Sequence, residues 1–268
     1  MNVALRRPPV AWLALQAIAL WPHALWMWSR MRDGSDDPLG VVALAALALL
    51  VVRLAPRLRG QPDPRWLVAA VLLTIASTVA TLCLPPLPAS LIAALALAAG
   101  IAAWLPPGTA RLPFVGLAVL ALPLLSSLQF YAGYPLRLAT AQLSTWLLTL
   151  VGVAAERSGA TMEVGGRLII VDAPCSGVQM AWMAYFTAFT VAALTNLRDA
   201  VFLRRLPWVG ILVLAGNAVR NAVVVALAAR PVGVGEMAHQ ATGVAMLAAV
   251  CGLVLWVMHR GVVRAQPA

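Results

Sequence analysis

The chain has 268 residues, 62% of them hydrophobic and 10% charged, with a formal net charge of +10 carried wholly by Arg. Soluble globular proteins carry about 25% charged residues, so this composition excludes a disordered chain and argues against a soluble enzyme. In a chain this apolar the Arg excess is a membrane-topology signal rather than a nucleic-acid footprint.

A membrane span needs about 20 apolar residues. Eight stretches qualify: 10–28, 38–55, 66–84, 88–105, 112–130, 176–196, 206–229 and 239–258. Pro and Gly fall mostly between them, and Trp26, Trp28, Trp66, Trp104, Trp208 and Trp256 sit near span ends, where an interfacial belt belongs. The first span follows Arg6 and Arg7 but has no small-residue cleavage site after it, so it reads as an uncleaved span.

The stretch 131–155 is apolar, but Arg137, Gln142, Ser144, Thr145 and Thr149 give it a polar side. Charge counting arbitrates. With a cytoplasmic N-terminus and 131–155 not crossing, twelve Arg lie inside (6, 7, 53, 57, 59, 65, 111, 198, 204, 205, 260, 264) against two acids, Asp63 and Asp199. Six Arg (30, 32, 137, 157, 167, 230) lie outside with seven acids (33, 36, 37, 156, 163, 172, 236). That asymmetry obeys the positive-inside rule. The stretch 131–155 is therefore expected as an outer interfacial or re-entrant helix. The next stretch, Met162 to Asp172, reads as a short outer hairpin turning at Gly165-Gly166. The expected fold class is all-α: a polytopic transmembrane helical bundle of about eight spans, with an outer interfacial helix and hairpin. The whole chain, 1–268, reads as a single integral membrane domain. Within it, 1–130 holds five spans, 131–175 is the outer segment, and 176–268 is a three-span core. Both termini are expected in the cytoplasm.

Three polar positions stand out. Cys175 opens the sixth span on the outer side, where a helix N-terminus favours thiolate, the nucleophilic form. Ser176 beside it suits a helix cap. Arg220 lies within the seventh span, flanked by Asn217 and Asn221. Arg at membrane depth costs a few kcal/mol or more and usually faces a cavity. Counted from Leu206, it is about 21 Å up the helix, in the outer half of the bilayer. His239 opens the eighth span, with Gly243 one turn later permitting close helix approach. Cys83 and Cys251 read as inert apolar cysteines, His23 as a packing residue and His259 as a topology flank. A thiol, an imidazole and a guanidinium on consecutive outer span ends suit acyl transfer. In that arrangement His239 shuttles the proton, and Arg220 stabilises the oxyanion, holds the carbonyl or lowers the thiol pKa. Asp172 is a candidate to orient His239, and Gln179 a candidate pocket residue.

The blocks Ala-Pro-Cys-Ser-Gly at 173–177, Asn-Ala-Val-Arg-Asn at 217–221 and His-Gln-Ala-Thr-Gly at 239–243 resemble, in order and spacing, the signature of the exosortase/archaeosortase family. Pro174 departs from that pattern, where Ala is more usual. The resemblance implies a membrane-embedded cysteine protease/transpeptidase. It implies Cys175 as nucleophile, His239 as proton shuttle and Arg220 as electrostatic partner. It also implies a substrate class, exported proteins with C-terminal sorting tails, cleaved on the outer face of a bacterial cytoplasmic membrane. An extracellular polysaccharide or lipid is the implied acceptor. No cofactor, metal or nucleic-acid partner is expected. The competing reading is a non-enzymatic transporter, flippase or assembly factor with Arg220 on an anionic headgroup. A rhomboid-like serine protease using Ser176 and His239 ranks third, because a thiol is the stronger nucleophile at neutral pH.

Overall fold

The computed structural model describes residues 9–32, 34, 38–228 and 236–260, with no side-chain placement for Pro174, Glu236, Ala238 and His239. Arg6, Arg7, Asp33, Asp36, Asp37, Arg230 and Arg264, used above for charge counting, lie outside the described residues. Ten α-helices and three short strands are described: α1 (Pro9–Ala19), α2 (Trp21–Arg32), α3 (Leu39–Leu54), α4 (Pro64–Cys83), α5 (Pro86–Trp104), α6 (Leu112–Leu120), α7 (Leu125–Leu150), β1 (Ala155–Ser158), β2 (Thr161–Val164), β3 (Arg167–Ile170), α8 (Val178–Leu194), α9 (Asp199–Ala228) and α10 (Glu236–His259). The polytopic helical class expected from the sequence is therefore observed. Five helical segments are long and apolar enough to cross a membrane, or seven if two broken pairs, α1 with α2 and α6 with α7, each count as one span.

The breaks have local causes. The stretch 10–28 is not one helix, because Pro22 stands at the head of α2 and cannot continue the backbone ladder of α1. The stretch 112–130 is likewise divided. Pro123 ends the run after Leu120, and α7 starts at Leu125. From there α7 runs unbroken through 26 residues, so no boundary falls at 130. Pro135 is accommodated inside it. The residues that give 131–155 a polar side are in part buried. Ser144 donates to the Ala218 carbonyl at 2.9 Å, and Thr145 donates back to the Ala141 carbonyl at 2.8 Å. Ser and Thr hydroxyls satisfied this way sit in a helix interior without water.

The chain divides into two compact units. The first comprises 1–124 with Phe189–Phe202. Its α5 is buried along most of its length by Ala, which lets α4 and α1 approach closely. His23 is buried against Ser90, with Nδ1 3.1 Å from the Ser90 hydroxyl. The end of α8 closes in a Schellman arrangement. Asn196 takes the left-handed conformation at φ 50°, Leu197 N–H donates to Ala192 O, and Asn196 N–H donates to Ala193 O. Asp199 then accepts the backbone N–H groups of Arg111 and Leu112, each at 3.0 Å, at the head of α6. Asp63 pairs with Arg59 and Arg111, so both acids of the arginine-rich segments have structural duties.

The second unit comprises Leu125–Ala188 and 203–268. The expected hairpin is present as β2 and β3, turning at Gly165 and Gly166, both at positive φ. β1 adds a third antiparallel strand, in order β1-β2-β3. Met162 and Val164 point to one face and are buried with Ala141 and Leu148 of α7 and Ala222 and Val225 of α9. Cys175 packs against the same cluster. The sheet therefore anchors the segment that delivers Cys175 to α8.

Candidate active site

Cys175 closes a 3₁₀ turn, Ala173–Cys175, and α8 begins only at Val178. Cys175 is thus not the capping residue of the long helix. The macrodipole acts mainly within the first turn, so the expected thiolate stabilisation by the α8 N-terminus is not the leading influence. Burial is. It pushes the thiol above its ordinary value. The Arg220 charge opposes the rise, the Asp172 charge adds to it, and hydrogen bonds from the Arg220 side chain and the Asp172 backbone oppose it again. A thiol raised in this way favours its protonated form.

The carbonyl of the same residue is held from α9. Asn217 Nδ2 donates to Cys175 O at 2.9 Å and to Thr140 Oγ1 at 3.0 Å. Asn221 Nδ2 donates to Cys175 O at 3.3 Å and to Asn217 O at 2.9 Å. A carbonyl only accepts, which fixes the orientation of both amides. Asn217 and Asn221 are buried. The sequence shows Asn217 and Asn221 only as flanks of Arg220. In the structure all three serve Cys175, two on its carbonyl and one on its sulfur.

Gly177 explains how α9 comes so close. Its φ is +87°, and a Cβ there would lie 2.9 Å from Asn217 Cγ and Nδ2. The Gly that follows Cys-Ser is required both by backbone conformation and by the Asn217 amide. Gly243 lies close against Arg220. A Cβ at Gly243 would stand 3.3 Å from Arg220 Nε and 3.4 Å from Nη2. The close approach expected at Gly243 is thus filled by the Arg220 guanidinium. His239 lies one turn before Gly243 in α10, and its side chain is outside the described residues.

The supporting residues divide. Ser176 is buried, accepts from Val178 N–H at 3.3 Å and donates to Gln129 Oε1 at 2.9 Å. Asp172 precedes the 3₁₀ turn, is exposed and caps nothing with its side chain. Gln179 is exposed in the first turn of α8. Sequence reasoning missed Gln129 of α7, whose Nε2 donates to Ala173 O at 3.0 Å. It also missed Thr140. Cys83 is exposed and Cys251 half-buried, both as free thiols. Among the described residues no group of three His, Cys, Asp or Glu is placed to hold a metal ion.

Apolar helices, a docked three-stranded sheet and a half-buried Cys beside a helix-borne Arg define a multi-pass membrane protein with a polar site at the head of α8. The family model described as transmembrane exosortase (Exosortase_EpsH) matches residues 26–256, and the chain belongs to that family. No curated protein and no solved structure matches it.

Proposed function

We propose that the protein is a cysteine protease/transpeptidase that cleaves C-terminal sorting signals of exported proteins on the outer face of a bacterial cytoplasmic membrane. The observation that carries this reading is Cys175 clamped through its carbonyl by Asn217 and Asn221 while Arg220 acts on its sulfur. Such fixing of a nucleophile against a cation is the preorganisation that acyl transfer requires.

In the proposed reaction His239 takes the Cys175 proton as the sulfur attacks the scissile carbonyl. Arg220 offsets negative charge, first on the sulfur and then on the tetrahedral oxygen. Collapse breaks the C–N bond, and the leaving amine takes the proton from His239. The thioester left on Cys175 then passes its acyl group to water or to an acceptor hydroxyl or amine, which restores the thiol. The raised thiol pKa is compatible with this order, since proton removal is coupled to attack rather than preceding it.

The test is to map the C-termini of exported proteins in the native host by mass spectrometry, with wild type and with Cys175→Ala. Retention of hydrophobic, basic tails only in the variant is the expected result. Unchanged C-termini with a stably inserted variant and expressed substrates would overturn the reading and favour the transporter or assembly alternative.

A further inference from the structure

The turn that carries Cys175 is three residues long and has no side-chain cap at its start. A single 3₁₀ turn has poor hydrogen-bond geometry and little stability of its own. Gln129 supplies what the turn lacks. Its Nε2 donates to Ala173 O at 3.0 Å, and its Oε1 accepts from Ser176 Oγ at 2.9 Å. The carbonyl can only accept, so the amide orientation is fixed. Ala173 lies two residues before Cys175 and Ser176 one after, so one amide ties both flanks of the nucleophile. Ser176 Oγ extends the tie to Val178 N–H at the head of α8. Gly133, one turn further along α7, leaves the space. A Cβ there would lie 3.1 Å from Gln129 Cδ and Nε2.

We propose that Gln129 is a positioning residue for the nucleophile, holding the 173–176 turn so that the Cys175 sulfur faces Arg220. This rests on the reading of Cys175 as nucleophile. Gln129 bonds the backbone and a neighbouring hydroxyl rather than the sulfur, and acts through the turn. The clamp is two-sided: Gln129 from α7 fixes the flanks, while Asn217 and Asn221 from α9 fix the carbonyl between them.

The test uses the full-length protein in proteoliposomes, with Cys83→Ala and Cys251→Ala so that Cys175 is the only thiol. The pH dependence of Cys175 alkylation by iodoacetamide reports the setting of the sulfur. Among the described residues the charged groups acting on it are Arg220 of α9 and Asp172 of its own turn. Gln129→Met keeps the length and removes both hydrogen bonds. It is expected to raise the alkylation midpoint toward that of Arg220→Met, and to cause no further rise in the Arg220→Met background. It should also lower kcat for tail cleavage roughly 10- to 100-fold, the scale of a small misplacement of reacting groups, with KM little changed. Ser176→Ala removes one of the two bonds and should give a smaller shift the same way. That variant decides the matter if Gln129→Met does not insert. An alkylation profile unchanged by either substitution, or a shift of equal size with and without Arg220, overturns the proposal. Alkylation needs no substrate, so a failure of tail processing to depend on Cys175 would overturn the functional reading and leave the positioning result to be judged alone.

Discussion

Asn217 and Cys175 are joined by a hydrogen bond of 2.9 Å from a buried side-chain amide to a backbone carbonyl, and Gly177 is the residue that lets the amide in. The bond links α9, which carries Arg220, to the turn that carries the thiol.

Replacing Asn217 by Leu removes two donations and leaves the Cys175 carbonyl with Asn221 alone. Loss of a buried hydrogen-bond partner costs about 1–3 kcal/mol, so the thermal midpoint in detergent should fall. Cleavage should fall by more than the loss of folded protein explains. Gly177→Ala should reproduce the activity loss, since its Cβ would occupy the amide's place. Full activity in both variants would show that this bond does not set the site.

The Cys175 thiol lies above its ordinary value, chiefly through burial. Its reaction with iodoacetamide should therefore have a midpoint above that of a free cysteine. Arg220 lowers the value, so Arg220→Met moves the midpoint further up. The Asp172 charge raises it, while its backbone bond, which Asn keeps, lowers it, so Asp172→Asn moves the midpoint down. A midpoint below that of free cysteine, or shifts of the opposite sign, would contradict the arrangement.

Gly243→Ala places a methyl within 3.3–3.7 Å of the Arg220 guanidinium. Gly-to-Ala normally favours a helix by up to about 1 kcal/mol. Here a protein of equal or greater thermal stability should turn over more slowly, with the Cys175 alkylation midpoint raised as in Arg220→Met but by less. Unchanged turnover would mean that the guanidinium has room to give.

Asp199 accepts two backbone N–H groups at the head of α6. Asp199→Ala should lower stability by about 1–2 kcal/mol, as loss of a helix cap does, with kcat per folded molecule unchanged. An unaltered thermal midpoint would contradict that role.

The parts of this architecture that were legible in the sequence are those with a strong chemical anomaly. Arg220 stood out because a cation at membrane depth needs a reason, and Cys175 because it opens an apolar run. The Gly165-Gly166 turn was legible because a tight hairpin needs positive φ. β1 was not, because Ala155-Glu156-Arg157-Ser158 lacks alternation and gains its order from pairing with β2. The break near Pro123 was hidden by the apolar residues on both sides of it. Gln129 was hidden for the same reason, as a lone amide at the edge of a hydrophobic stretch whose partners lie more than 40 residues away. The partners of the α7 hydroxyls were not legible, because polar composition does not distinguish a wet face from one bonded to a neighbouring helix.

The most direct measurement is of the covalent intermediate. The reconstituted protein would be mixed with a tail-bearing exported protein identified by C-terminal mapping, quenched in acid within its first turnovers, and digested for mass spectrometry. The expected product is the substrate's new C-terminus joined as a thioester to the peptide containing Cys175, released by hydroxylamine and absent in Cys175→Ala. Tail cleavage with the acyl group on Ser176, or cleavage by Cys175→Ala at the wild-type rate, would contradict Cys175 as the nucleophile.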